Sequence, residues 1–262
     1  MTTILITGAT DGIGKETAKA LVAAGHTAIL HGRNAEKLAA AAQECGCAPT
    51  VQADLSILSE APKLAEAALE LGRIDVVINN AGVFNTRQTR TADGLDSRFA
   101  VNTIAPYAIT ERLLTHLGPS GRVINLSSAA QAPVSLAAMR GEGTLSDGAA
   151  YAQSKLALTM WTTALAAERG AEGPMMVSVN PGSLLGTKMV RDAFGTSGKD
   201  MSIGVDILVR AALSDEFANA GGRYFDNDIG RFGPPHPDAT NREKCRAVLR
   251  AVREIAQAPA RA

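Results

Sequence analysis

Short, continuously apolar runs alternate with longer amphipathic stretches along the chain, and this alternation leaves few folds open. Thr3-Ile-Leu-Ile-Thr7 reads as a strand buried on both faces. A glycine-rich turn and a helical run from Ile13 to Ala24 follow at once, closed by Gly25 in the usual C-terminal place. Strands are expected at Thr27–His31, Pro49–Gln52, Asp75–Asn79, Arg122–Leu126, Met175–Val179 and Arg223–Phe225. Between and after them, helical patterns cover Ala35–Glu44, Leu58–Leu71, Gly94–Leu117 with a kink at Pro106, Ala149–Glu168, Ser202–Leu213 and Asn241–Ile255. Arg191 to Ser202 reads as a loop or short helix, and Gly230 to Pro237 as an irregular connection. Strands separated by helices cannot pair as hairpins, so the pattern predicts an α/β fold: a parallel sheet with helices on both faces. No repeat beyond this alternation and no linker divides the sequence, so residues 1–262 are expected to form a single domain.

Composition narrows the function classes. Lys and Arg (26) balance Asp and Glu (26), and no basic tail or stripe stands out, which argues against a nucleic-acid partner. No apolar run approaches the roughly 20 residues that span a bilayer, and no basic-then-apolar leader opens the chain. The expectation is a cytoplasmic protein without a membrane partner. Cys45, Cys47 and Cys245 are too few and too odd in number for a disulfide framework and read as reduced thiols. Cys45-Gly-Cys47 lacks zinc-pair spacing, and His26, His31, His116 and His236 show no paired spacing, so no metal site is expected.

Two constellations carry chemistry. Thr7-Gly-Ala-Thr-Asp-Gly-Ile-Gly14 joins the first strand to the first helix, where a dinucleotide pyrophosphate lies in folds of this class. Glycines let the backbone turn tightly and approach the phosphates, and the helix N-terminus offers free N–H groups and a positive dipole end. Gly8, Asp11, Gly12, Ile13 and Gly14 are therefore candidate cofactor residues, with Thr7 at the strand end. The end of the second strand, His31-Gly-Arg-Asn34, should meet the adenosine ribose. It has no carboxylate to accept from two ribose hydroxyls, whereas Arg33, beside Asn34, can bind a 2′-phosphate by a charge-assisted bond. NADP(H) is expected over NAD(H).

The second constellation is Tyr151-Ala-Gln-Ser-Lys155. A step of four residues on a helix puts Tyr151 and Lys155 on one face. Tyrosine titrates near 10, so a neighbouring ammonium and an oxidised nicotinamide are expected to lower it toward use as a base.

Taken together, Thr7–Gly14, Asp54-Leu55, Asn79-Asn-Ala-Gly82, Asn102, Ser127-Ser128, Tyr151/Lys155 and Asn180-Pro-Gly182 resemble the short-chain dehydrogenase/reductase family over nearly the whole chain. TGATDGIGKETA followed by HGRN looks most like its retinol-dehydrogenase-like and protochlorophyllide-reductase-like branch. The resemblance implies a Rossmann-type doubly wound parallel sheet of about seven strands in the order 3-2-1-4-5-6-7. It implies that Asp54, with Leu55, meets the adenine, and that Asn80, Ala81 and Gly82 close the fourth strand against the cofactor. Asn102 would hold a water behind Lys155, Ser128 would steady the substrate oxygen, and Tyr151 would exchange the proton. Lys155 would bind the nicotinamide ribose and tune Tyr151, while Pro181, Gly182 and Thr187 would shape the nicotinamide pocket. Two departures stand out. Ser128 and Tyr151 lie farther apart than in compact members, leaving Ala129–Gly148 as an extended loop beside the substrate, and Thr187 follows Pro181 one position late.

The expected function is NADP(H)-dependent interconversion of a small carbonyl compound and an alcohol. The alternatives are a cofactor-binding scaffold without turnover and a reductase of a C=C bond. The substrate is expected to lie among Val83–Thr91, Ala129–Gly148 and Leu184–Asp200. Leu156, Met160, Trp161, Thr163, Ala164 and Ala167 spread beyond one narrow stripe of their helix, and such a helix must bury two sides. In the resembling family this helix and the 94–117 helix pair across a twofold axis, so a homodimer or a homotetramer is expected.

Overall fold

The computed structural model describes residues 1–46 and 48–258, so the Cys45–Cys47 pair cannot be described as a unit. The strands are β1 (Thr3–Ile6), β2 (Thr27–Gly32), β3 (Thr50–Gln52), β4 (Val76–Asn79), β5 (Arg122–Leu126), β6 (Met175–Asn180), β7 (Tyr224–Asp226) and β8 (Arg231–Phe232). They form one sheet in the order β3-β2-β1-β4-β5-β6-β7-β8, a Rossmann-type doubly wound arrangement. Every neighbouring pair is parallel except β7 with β8. The sheet therefore has eight strands where about seven are expected from sequence. The eighth falls in the stretch that reads as an irregular connection, because a two-residue strand carries no period. It is recruited by tertiary contact: Phe232 pairs with Phe225, and the rings of Phe217, Phe225 and Phe232 stand 5.1–5.2 Å apart.

The helices are α1 (Gly12–Ala23), α2 (Ala35–Glu44), α3 (Glu60–Glu70), α4 (Ser97–Phe99), α5 (Ala105–Leu117), α6 (Leu136–Met139), α7 (Asp147–Arg169), α8 (Lys188–Phe194), α9 (Ser202–Leu213) and α10 (Arg242–Gln257). Continuously apolar strands feed two cores because alternate side chains point to opposite faces. Leu5, Ile29, Val77, Val123 and Met176 join the core under α3, α5, α7 and α10. Ile4, Ile6, Leu30, Ile78, Ile124 and Val177 join the core under α1, α2 and α9.

Three features differ from expectation. The helix over 94–117 is interrupted: α4 starts at Ser97, capped by Asp96, and a π-helical turn spans Ala100–Ile104 before α5. Pro106 has no N–H to offer the Asn102 carbonyl four residues earlier, and the ladder shifts so that Ala105 N–H bonds Ala100 O. The Ala129–Gly148 loop contains α6, whose Met139 is buried in the core shared with α7. Arg90 donates to the carbonyls of Gly94, Gly141 and Gly143, and Arg140 pairs with Glu254 of α10 at 2.8 Å.

The third concerns the second apolar side of α7. Leu156, Met160, Trp161 and Ala164 share one buried core with Val248, Leu249, Val252 and Ile255 of α10. Arg253 of α10 donates to the Tyr107 hydroxyl at 3.1 Å and pairs with Glu168 at 3.0 Å. Among the described residues, no large hydrophobic side chain of α5 or α7 is exposed. Part of the surface on which the homodimer or homotetramer expectation rests is thus covered by a helix of the same chain, while Ala167 stays exposed. No helix among the described residues is long and apolar enough to cross a membrane. Nor do any three His, Cys, Asp or Glu there form a metal-holding group.

Candidate active site

The order of strands reverses at β1 and β4, and a cavity of about 560 Å³ opens over the C-terminal ends of the strands there. It runs from Arg33 and Asp54 at one end, past Gly8 to Ile13, to Ser128, Tyr151 and Leu184 at the other.

At the first end, Gly8 has φ +66° and a Cβ there would lie 2.8 Å from the Ala81 Cα, so only glycine fits. Asp11 caps α1, accepting from Gly12 N–H at 2.7 Å, and Gly12 and Ile13 line the cavity at the helix N-terminus. Asn80 donates to the carbonyls of Thr7 (2.8 Å) and Gly8 (3.0 Å), fastening the turn to β4. Arg33 is exposed on the cavity rim and makes no ion pair among the described residues. The Asp54 carboxylate is set by Ser56, whose N–H and hydroxyl both donate to Oδ1, at 2.9 and 2.7 Å. Leu55, Ala81 and Gly82 complete the lining on this side.

At the second end, Lys155 lies on the floor, 5% exposed, with Nζ donating to the Leu126 carbonyl at 2.7 Å. Burial pulls its ammonium down to about 8. Nζ stands 5.8 Å from the Tyr151 ring centre. Burial raises the Tyr151 phenol above its ordinary value, against the opposing effect of a hydrogen bond with Ser128. The expected lowering calls on an oxidised nicotinamide as well as the Lys155 ammonium, and burial of the phenol is what those two charges have to overcome. Phe84 packs on Tyr151 with ring centres 4.7 Å apart. Its carbonyl accepts from Arg98, which is buried and paired with Asp96 and with Asp147 at the start of α7, each at 2.7 Å. Arg98 thereby ties the Phe84 loop to the helix that carries Tyr151.

The β6–α8 connection closes the cavity. Gly182 has φ +123°, reachable only by glycine, and Leu184 is the one non-glycine residue with positive φ (+55°) among the described residues. The turn after β7 holds this connection in place. Asn180 donates to Asp226 and Asp228 at 2.8 and 2.9 Å, Ser183 donates to Asp228 through its N–H and its hydroxyl, and Asn227 donates to the Pro181 carbonyl at 2.9 Å. Thr187 caps α8 by accepting from Val190 N–H and also lines the cavity.

Four of the expected site residues stand behind the cavity wall. Thr7 accepts from Ala81 N–H at 3.0 Å and staples β1 to the β4 end. Gly14 leaves room for Asn80, whose Nδ2 would lie 2.3 Å from a Cβ. Asn34 caps α2 by accepting from Lys37 N–H at 2.9 Å. The Asn102 side chain bonds both backbone groups of Val83 and the Ser154 hydroxyl. Of the Ala129–Gly148 loop only Ala130 lines the cavity, whereas Val83, Phe84, Leu184, Met189 and Val190 do. His31, read from sequence only as a strand end, is also in the wall.

The family model described as short chain dehydrogenase matches residues 2–197. The chain belongs to the short-chain dehydrogenase family. An uncharacterized oxidoreductase of Emericella nidulans is 33% identical, with 97% of each chain covered. Retinol dehydrogenase 13 of Mus musculus is 30% identical over 94% of this chain and 81% of its own, in keeping with the retinol-dehydrogenase-like branch. Among solved structures, a short chain dehydrogenase of Burkholderia cenocepacia in complex with NADP superposes with a TM-score of 0.68 at 27% identity, covering 87% of this chain and 97% of the other. As a short-chain dehydrogenase, the chain is an oxidoreductase acting on small molecules.

Proposed function

We propose that the chain interconverts an apolar aldehyde or ketone and the corresponding alcohol with NADP(H), using Tyr151 as the acid–base group. The observation that carries this reading is the convergence of Ser128, Tyr151 and Lys155 at one end of a cavity whose other end carries a free arginine. The residues suit a dinucleotide: Gly8 and Gly12 hold positive-φ turns at the N-terminus of α1, and Gly182 keeps the far wall close. When bound, the nicotinamide supplies or accepts the hydride.

The chain's own residues do the rest. Ser128 and Tyr151 donate to the substrate oxygen and stabilise the charge that develops on it, and Tyr151 delivers or takes up the proton. Lys155, beneath Tyr151, holds the ribose and supplies the positive charge that favours the phenolate. Arg33 bonds the 2′-phosphate, and Asp54 accepts from the adenine amino group. Val83, Phe84, Leu184, Met189 and Val190 exclude water and favour apolar substrates. The NADP-bound Burkholderia relative supports the cofactor class.

The test is a panel of aldehydes, ketones and enones offered with NADPH and with NADH, followed at the nicotinamide absorbance. Turnover of carbonyls with NADPH is the expected result. Turnover of enones alone would identify a C=C reductase, and cofactor binding without turnover of any substrate a scaffold.

A further inference from the structure

Of the four histidines, only His31 is buried. It is the last residue but one of β2, where three segments meet around the adenosine half of the cavity. Gly8 N–H donates to Nδ1 at 3.1 Å, and Nε2 lies 3.0 Å from the Ala53 carbonyl. These contacts fix the state of the ring. A carbonyl can only accept, so Nε2 carries the proton, and Nδ1 keeps the lone pair that receives Gly8. Only the neutral imidazole with hydrogen on Nε2 satisfies both partners. A second proton would set N–H against N–H at Gly8.

Gly8 has little room to yield. The Ala81 backbone blocks it on the β4 side, and Asn80 holds its carbonyl. Ala53 immediately precedes Asp54, so the ring also links the phosphate turn to the adenine side of the cavity. The charged groups facing the ring are Asp54, in the β3–α3 connection, and Glu60, at the start of α3. Both favour the protonated ring, as does the Ala53 carbonyl, but burial is the larger effect and keeps the ring neutral.

We propose that His31 is a positioning residue for the cofactor: its neutral ring latches Gly8 to Ala53, holding the phosphate turn ready for the dinucleotide, and protonation opens the latch. The inference rests on the nicotinamide-cofactor reading above. It implies that cofactor affinity falls in acid for a reason independent of the substrate chemistry.

The test uses His31→Asn, which keeps an acceptor for Gly8, and His31→Leu, which keeps neither contact. NADH is the titrant because it lacks the 2′-phosphate, which itself titrates in acid. The Leu variant is expected to bind NADH about tenfold more weakly at pH 8, the size of one hydrogen bond to a buried donor. The parent should lose NADH affinity as pH falls below the ordinary imidazole range, and the Asn variant should show a flat profile. Nitrogen NMR of the cofactor-free parent should find hydrogen on Nε2, with Gly8 amide exchange quickening as the ring protonates. The proposal is overturned by hydrogen on Nδ1, or by an Asn variant whose pH profile equals the parent's. If His31→Leu does not fold, the Asn profile and the NMR decide. If the parent binds neither NADH nor NADPH, the cofactor reading fails, while the NMR still reports on the latch.

Discussion

At the residue scale, Lys155 carries a thermodynamic penalty that its buried position imposes. The unfolded chain keeps a lysine proton to 10.5, whereas the folded protein releases it near 8, so folding is penalised below about 8 and relieved as pH rises toward 10.5. The penalty at pH 7 is about 3 kcal/mol. Lys155→Met is therefore expected to unfold at higher urea than the parent at pH 7, less the cost of leaving the Leu126 carbonyl without its donor. The gain should shrink by pH 10, while turnover and cofactor affinity fall. Urea curves at the two pH values check this, and a gain that grows with pH would refute the sign. Tyr151→Phe should lose turnover by a hundredfold or more, roughly the range of general acid–base catalysis, yet keep cofactor affinity. Arg33→Ala should weaken NADPH binding by about 1.5–3 kcal/mol and leave NADH binding unchanged, as calorimetric titration of the two would show. Tyr151 and Lys155 are legible in sequence because a helix writes its geometry locally, as a step of four. His31, Leu184 and Met189 are not, because the cavity they line is made of segments distant in sequence.

At the element scale, the π-helical turn at Ala100–Ile104 links a single imino acid to the neighbourhood of Lys155. Because the Asn102 side chain is taken by Val83 and Ser154, the proposed water-mediated link to Lys155 would have to use the Asn102 carbonyl, which Pro106 deprives of its α-helical donor. Pro106→Ala should restore a regular ladder, leave stability equal or higher, and lower turnover about tenfold or more through the lost proton relay. A regular helix in the variant's crystal structure together with parental turnover would end this argument. The sequence marks the proline but not the outcome, since a kink and a π turn both answer a missing N–H. Strand β8 and the fold of the Ala129–Gly148 loop are equally silent. One is too short for a period, and the other is fixed by Arg90 and by Glu254 from far along the chain.

For the whole molecule, a parallel sheet between two helix layers follows from the alternation of strands and helices, whereas its order through β7 is legible only through the family resemblance. What covers the α5–α7 face does not follow from sequence, since an apolar helix side can meet a second copy or another part of the same chain. Here it meets α10. Light scattering at micromolar concentration is expected to give the 27.1 kDa of one chain. Leu249→Asp, which puts a carboxylate into that seam, should destabilise the fold by about 3 kcal/mol or more, as denaturation would measure. The order of synthesis gives this seam a further meaning. A growing polypeptide leaves the ribosome N-terminus first and its domains form in that order, so β1 to β7 and their helices emerge before Arg242. Until Arg242–Gln257 is released, the Trp161 face of α7 is naked on the nascent chain, and α10 acts as a late-arriving chaperone for the helices made before it.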